Sequence, residues 1–277
     1  MALEVGTLNT MFKAYTPAES AKKIAAYGIR KVQLDMAFNG RAYSVEDLTP
    51  AFCDDVRKAF ADEGIEIVAV SGHQKISFPD AEQRKAAKES FLQKLVLPKR
   101  FGCSVIVSET GSANPDNAWV DHPNNYLPEV WDAVAGTMKE ICARAADEGV
   151  TFALEPHFGQ VTKSPATLRR MLDDVGAKNL KIALDMANMV TADNAGDTRA
   201  LIDAFFDALG GDIEIVHAKD TKIVDGKSVF LGAGKGALDY AYLIKRLSGT
   251  GYDGPILLEY INEAGIQDAY NFVSALL

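Results

Sequence analysis

Eight short apolar runs alternate with helix-like segments from one end of the sequence to the other, and this repeat limits the fold more than any other feature. The runs are rich in Val, Ile and Leu, as expected for strands that are buried on both faces of a parallel sheet. We predict strands at 3–8, 31–35, 65–71, 103–108, 150–155, 181–185, 213–217 and 255–260.

Helix-like segments lie between these strands. Thr16-Pro17-Ala18-Glu19 supplies a capping residue, a proline for the first turn and a Glu that can bond back to the cap. Ser164-Pro165 opens another helix in the same way. Further helical patterns cover 80–100, 124–148, 198–210, 239–248 and 263–276. Strict alternation of strand and helix is typical of a parallel sheet.

An open, doubly wound sheet is the competing arrangement of such units. That fold usually has a Gly-x-Gly-x-x-Gly turn after its first strand, whereas this chain has Thr7-Leu8-Asn9-Thr10 there. The 277 residues contain no Pro- or Ser-rich linker, and a (β/α)₈ barrel typically needs about 250 residues. We therefore predict one domain over 1–277, a single (β/α)₈ barrel, also called a TIM barrel.

The longest irregular stretches follow predicted strands, at 36–45, 72–79, 109–123 and 219–237. In a barrel, these stretches gather at the carboxyl ends of the strands, where active sites are built.

Four consecutive strands each end on a side chain that can bind a metal ion: Glu155, Asp185, His217 and Glu259. Because parallel strands place their carboxyl ends at one rim, we expect these side chains to converge. Three carboxylates and one imidazole form an oxygen-rich donor set that suits hard divalent ions. We predict one divalent metal ion, Mn²⁺ in first place, with Mg²⁺, Co²⁺, Zn²⁺ and Fe²⁺ as alternatives.

Charge, cysteine content and hydropathy exclude several classes of partner. The net charge of −9 disfavours nucleic acid, which needs clustered Lys and Arg. No apolar run approaches the roughly 18 residues of a membrane span, so we expect no membrane partner. The three cysteines are odd in number and lack Cys-x-x-Cys spacing, and no signal peptide pattern opens the sequence, so we expect a cytoplasmic protein.

The motifs at the strand ends resemble those of the xylose-isomerase-like barrel superfamily of sugar isomerases and epimerases, which includes the ketose 3-epimerases and the inositol-catabolism barrels. The resemblance covers the whole chain and is carried by Glu155-x-His157, Asp185-x-x-Asn188, His217-x-Lys219-Asp220 and Glu259. It implies that the Glu, Asp, His and Glu of these motifs hold the metal. It also implies that Glu155 and Glu259 exchange protons with the substrate, and that the protein is a homodimer or homotetramer.

Three positions differ from the ketose 3-epimerases. Asn188 stands where a His is usual, and Lys219 and Lys222 are the cations near the place of an Arg. Gln33 replaces a Glu near the end of the second strand, and Asp35 follows two residues later. These changes leave the four predicted metal ligands intact.

Five further residues near strand ends are predicted to bind the substrate: His157, Lys219, His73, Glu109 and Asn188. Each also has a structural alternative. His157 can be satisfied by a loop at the rim, and Glu109 can hold a neighbouring Lys or His. Lys219 can pair with a metal-binding carboxylate, and Asn188 can support a metal ligand.

The predicted reaction is removal of a proton α to a carbonyl, through an enediolate that the metal stabilises. The substrate would be a small sugar or keto-polyol, and the absence of an Arg cluster favours an unphosphorylated one. The protein would then be an epimerase or an isomerase. The same residues also suit a metal-dependent dehydratase or lyase acting on a keto-inositol or an oxidised sugar. A DNA-repair endonuclease of this superfamily would need more than the four His present, and a purely sugar-binding barrel would not require two opposed carboxylates.

Overall fold

The computed structural model describes residues 3–277, in which eight parallel strands close into a barrel. Strands β1 to β8 are Glu4–Leu8, Lys31–Leu34, Glu66–Ser71, Val105–Ser108, Thr151–Leu154, Leu180–Leu184, Ile213–Val224 and Pro255–Leu258. Each strand pairs with the next in sequence, and β8 also pairs with β1, which closes the ring. The predicted (β/α)₈ fold class is confirmed. The predicted domain extent, 1–277, stays a prediction, and its first two residues lie outside the described range.

Helices surround the barrel. Helices α1 to α9 are Pro17–Ala26, Pro50–Asp62, Ala81–Lys94, Leu97–Phe101, Pro128–Asp147, Pro165–Val175, Thr198–Leu209, Tyr240–Ser248 and Ile266–Ser274. The predicted helical segments omit α2, although Thr49 caps it and Pro50 opens it, as Thr16 and Pro17 do at α1. Among residues 3–277, no helix is both long enough and apolar enough to cross a membrane.

The predicted helix at 80–100 is two helices, α3 and α4, separated at Leu95 and Val96. Pro98 explains the break, because proline has no N–H to donate to the carbonyl of Lys94 and its ring would clash with that carbonyl. The chain therefore turns before the proline, which then occupies the first turn of α4.

The segment 219–237, predicted to be irregular, contains a β-hairpin. Strand β7 continues to Val224, and an antiparallel strand, Lys227–Gly232, returns along it. The two linking residues, Asp225 and Gly226, have φ of 50° and 73°. Positive φ at both positions is what a tight two-residue hairpin turn requires, and Asp-Gly is a favoured sequence for it.

The apolar core lies in two places. A large cluster fills the space between the strands and the helices. A small second cluster lies inside the barrel and contains mainly short or β-branched side chains: Leu8, Ala69, Val105, Val107, Ala153, Ala183, Ile215 and Leu257. This inner cluster forms the floor on which the candidate site is built.

Candidate metal centre

The candidate site is the layer of side chains directly above the inner apolar cluster. Side chains that face the same side of a strand recur with a period of two residues. Two positions beyond the apolar Ala153, Ala183, Ile215 and Leu257, the same strands deliver Glu155, Asp185, His217 and Glu259, the candidate quartet. The fold thus brings the four predicted metal ligands to one height in the barrel.

The side chains of the quartet converge. One ligand atom of each residue lies within 4.8 Å of the ligand atoms of the other three. Nδ1 of His217 is 3.4 Å from Oε1 of Glu155 and 3.5 Å from Oε2 of Glu259. Three of the residues are buried, and Glu259 is partly exposed. This arrangement can hold one metal ion and leave access from the open end of the barrel.

The chemistry of the donor atoms fits a hard divalent cation. Oδ2 of Asp185 is buried and has no hydrogen bond of acceptable geometry within residues 3–277, although Nζ of Lys219 lies 2.8 Å away. Nδ1 of His217 faces two carboxylate oxygens. Buried polar atoms normally have partners, and a shared cation would supply one for each of these atoms. Three carboxylates with one imidazole suit Mn²⁺ or Mg²⁺.

Lys219 places a positive charge among the ligands. Its side chain is 6% exposed, and Nζ lies 2.8 Å from Oδ2 of Asp185 and 3.2 Å from Oε2 of Glu259. Burial alone lowers the pKa of an amine, but the neighbouring carboxylates, first of all Asp185, raise the pKa of Lys219 above its ordinary value. Lys219 is therefore a charged partner of two predicted ligands, and its predicted contact with the substrate stays a prediction.

The two carboxylates that are almost fully enclosed differ in their pKa. Burial raises the pKa of both. For Glu155, the positive charges of His217 and Lys219 outweigh burial and lower the pKa below its ordinary value. For Asp185, burial dominates over the nearby Lys219, and the pKa rises to about 7. A bound divalent cation would favour the ionised form of Asp185.

Asn188 supports two predicted ligands. Its Nδ2 donates to Oε1 of Glu155 at 2.8 Å, and its backbone N–H donates to Oδ1 of Asp185 at 3.3 Å. The structure therefore places Asn188 where it orients both carboxylates. Its predicted role in substrate binding stays a prediction.

His157 lies near Lys219 and Glu155 as a neutral side chain. Its Nδ1 accepts a hydrogen bond from the backbone N–H of Gly159 at 3.1 Å, so Nε2 carries the proton. Burial, reinforced by the charge of Lys219, lowers the pKa of His157 to about 4. The Nε2–H group remains a donor suited to the predicted substrate contact.

His157 is also part of an aromatic row that borders the site: Trp119, His157, Phe158, Phe230 and Tyr260. Contacting rings in this row have centroids 4.4 to 6.4 Å apart. The two ends, Trp119 and Tyr260, are 47% and 58% exposed. Phe158 and Phe230 carry no signal in the sequence, because an aromatic side chain in a loop does not show which ring it will contact.

His73 and Glu109 form an ion pair beside the quartet. Nδ1 of His73 lies 2.9 Å from Oε2 of Glu109, which is buried. His73 also lines a cavity of about 180 Å³ that includes Asp35 and Ser71. Burial on its own lowers the pKa of His73, but the charge and hydrogen bond of Glu109 raise it to about 9. The structure places His73 at the cavity and pairs it with the buried Glu109.

This ion pair gives a testable titration. We expect His73 to stay protonated until about pH 9 in the wild type. In Glu109→Gln the pKa of His73 should fall from about 9 towards 6.5, its ordinary value, because the charge and hydrogen bond of Glu109 are lost. Since the folded-state pKa is raised, the pair stabilises the fold fully below pH 6.5 and loses that effect as the pH rises through 9. NMR titration of the His73 ring measures the shift, and a wild-type pKa near 6.5 would contradict it.

Two further polar residues contribute to the site in ways that the sequence analysis did not assign. Gln33 is fully buried and contacts His217. The carboxylate of Asp220 accepts hydrogen bonds from the backbone N–H groups of Gly236 and Leu238 and so fixes the loop that follows the hairpin strand Lys227–Gly232. A signal for Gln33 was present, since it is a polar residue between Val32 and Leu34 inside a predicted buried strand.

Comparison with known proteins places this geometry in a family. A family model described as xylose isomerase-like TIM barrel matches residues 21–276. The uncharacterized protein MJ1311 of Methanocaldococcus jannaschii is 32% identical over 149 residues, which are 53% of this chain and 48% of that protein. The chain thus spans about half the length of this curated relative.

Solved structures resemble the chain over its whole length. L-ribulose 3-epimerase superposes with a TM-score of 0.75 at 16% identity, covering 100% of this chain and 95% of that one. A xylose isomerase-like TIM barrel protein from Mycobacterium smegmatis, in complex with magnesium, superposes with a TM-score of 0.73 at 15% identity, covering 99% of this chain and 96% of that one. At 15–16% sequence identity, these similarities show that the proteins share a fold.

Proposed function

The chain belongs to the xylose isomerase-like TIM-barrel family, and from this premise we propose that it is a divalent-metal-dependent isomerase or epimerase acting on a sugar or keto-polyol. The observation that carries the proposal is the convergence of Glu155, Asp185, His217 and Glu259 within 4.8 Å. Two neighbours in fold support it, since one is L-ribulose 3-epimerase and the other was solved with magnesium.

The quartet would hold the metal, with Mn²⁺ as the first candidate. When bound, the ion would supply Lewis-acid stabilisation of the negative charge that develops on the substrate oxygen. Asn188 keeps Glu155 and Asp185 in place, and Lys219 offsets part of their charge.

Glu155 and Glu259 are the proposed acid–base pair. They follow β5 and β8, which are separated in the barrel by β6 and β7, so they approach the shared centre from different directions. Glu155 is ionised, the form in which a carboxylate can accept a proton from the carbon next to the carbonyl. Return of a proton to the other face of that carbon gives an epimer. Return to the adjacent carbon gives an isomer.

The surroundings of the quartet fit a small polyhydroxylated substrate. The aromatic row offers apolar ring faces, and His157 and His73 offer polar groups beside them, the mixture expected of a small-molecule site. The ammonium of Lys219 is already engaged by Asp185 and Glu259. We therefore propose an unphosphorylated substrate.

Proton exchange with solvent tests the proposal. The protein, supplied with Mn²⁺, would be incubated in D₂O with a panel of ketoses and keto-inositols and followed by NMR. We expect deuterium to enter at one carbon of a substrate while an epimer or isomer accumulates. Loss of water from the substrate would identify a dehydratase instead. If no compound in the panel exchanges a carbon-bound proton, the proposed function is contradicted.

A further inference from the structure

The environment of Gln33 leads to an inference that rests on the metal dependence proposed above. Gln33 is fully buried on β2, and its amide must find partners inside the protein. It has two: Oε1 lies 2.9 Å from Nε2 of His217, and Nε2 donates to Oγ of Ser71 at 3.0 Å. A short chain of hydrogen bonds therefore links β3, β2 and β7 and ends on a predicted metal ligand.

The contact determines which nitrogen of the His217 ring carries the proton. An amide oxygen can only accept a hydrogen bond, so Nε2 of His217 must donate. In a neutral imidazole the lone pair is then on Nδ1. This is the nitrogen that faces Glu155 and Glu259 at 3.4 Å and 3.5 Å, and it is the one that a shared metal ion would need.

We propose that Gln33 is a positioning residue for the metal, which holds His217 in the Nε2–H tautomer with the Nδ1 lone pair directed at the quartet. Ser71 holds the amide of Gln33 in the orientation that this requires. Because Gln33 is uncharged, it orients the ring without adding another negative charge beside three carboxylates. Hydrogen-bond partners of metal-binding histidines typically contribute about 10–100-fold to metal affinity or activity.

The reversed orientation of the Gln33 amide makes the opposite prediction. It would place the amide nitrogen against Nε2 of His217, and the ring proton would then have to lie on Nδ1. Amide orientation is assigned from the hydrogen-bonding partners, so the tautomer of His217 is the direct physical test of the proposal.

Calorimetric titration with Mn²⁺ gives the first measurement. Gln33→Met is expected to weaken Mn²⁺ binding by about 10–100-fold. Gln33→Glu retains an acceptor oxygen and should bind Mn²⁺ at least as tightly as the wild type. Gln93→Met is the matched control, because Gln93 is exposed on α3, and its affinity should be unchanged. Equal affinity of Gln33→Met and the wild type overturns the proposal.

Nitrogen-15 NMR of the His217 ring in the metal-free wild type, at a pH high enough for the ring to be neutral, gives the second measurement. We expect the Nε2–H tautomer, and a predominant Nδ1–H tautomer overturns the proposal. This measurement needs no variant, so it decides the question even if Gln33→Met does not fold. If Gln33→Met weakens Mn²⁺ binding while the wild type converts no sugar, the inference stands and the proposed reaction fails. If the wild type converts a sugar and Gln33→Met binds Mn²⁺ normally, the proposed reaction stands and the inference about Gln33 fails.

Discussion

Glu155→Gln and Glu259→Gln are each expected to lower the rate of sugar conversion by about 10²–10⁴-fold, the usual contribution of a positioned acid or base. Gln has nearly the size of Glu and keeps a carbonyl oxygen, so a metal-binding atom survives, but an amide cannot accept the substrate proton. Both variants should therefore fold and lose turnover. Steady-state rates with a substrate found in the D₂O experiment would measure the loss.

Two readouts and one control variant separate loss of the base from loss of the metal. The Mn²⁺ content of each variant shows whether the quartet still binds its ion. Glu66→Gln is the matched control, because Glu66 lies at the opposite end of the barrel on β3 and pairs with Lys31. If one carboxylate removes the substrate proton and the other returns it, one variant should still exchange that proton with D₂O without releasing product. Near-full activity of either variant would refute the acid–base pair.

Lys219→Met is expected to destabilise the metal-free protein by about 3–5 kcal/mol, the cost of removing one partner from a buried ion pair. Its ammonium lies between Asp185, which is fully buried, and Glu259. Met fills similar space but removes the ammonium that both carboxylates contact. Urea unfolding in the presence of a chelator would measure the change, and added Mn²⁺ should restore part of the lost stability.

Lys222→Met provides the matched control for that measurement. Lys222 lies on the same strand and is exposed, so its loss should change the free energy of unfolding by less than about 0.5 kcal/mol. The double variant Lys219→Met with Asp185→Asn should be more stable than Lys219→Met alone, since it removes the uncompensated charge. A Lys219→Met protein as stable as the wild type would show that the ammonium does not hold these carboxylates.

The barrel and the quartet could be predicted from the sequence because both depend on patterns within a few neighbouring residues. A buried parallel strand is a continuous apolar run, and its end is marked by the first polar residue that faces the barrel interior. Glu155, Asp185 and Glu259 directly follow their strands, and His217 lies two positions beyond the inward-facing Ile215. The period of two along a strand then places all four at one level.

The elements that the sequence analysis missed depend on contacts between distant parts of the chain or on a single turn. Gln33 acts through Ser71 and His217, which lie 38 and 184 residues away in sequence, and no local pattern reports such a pairing. The hairpin formed by the end of β7 and the strand Lys227–Gly232 was marked in the sequence only by the turn Asp225-Gly226. The residues on either side of this turn do not alternate strongly between apolar and polar. The break between α3 and α4 follows from Pro98, whose effect on a continuous helix outweighed the helical pattern of 80–100.

The central claim is that Glu155, Asp185, His217 and Glu259 share one divalent ion. Calorimetry with Mn²⁺, together with the metal content of the purified protein, tests it most directly when wild type and Asp185→Asn are compared. We predict one ion per chain in the wild type and affinity at least about 10-fold weaker in Asp185→Asn, because even the hydrogen-bond partners of metal ligands typically contribute about 10–100-fold and a ligand carboxylate should contribute no less. A wild-type protein that binds no divalent ion, or an Asp185→Asn variant that binds Mn²⁺ as tightly as the wild type, would contradict the claim.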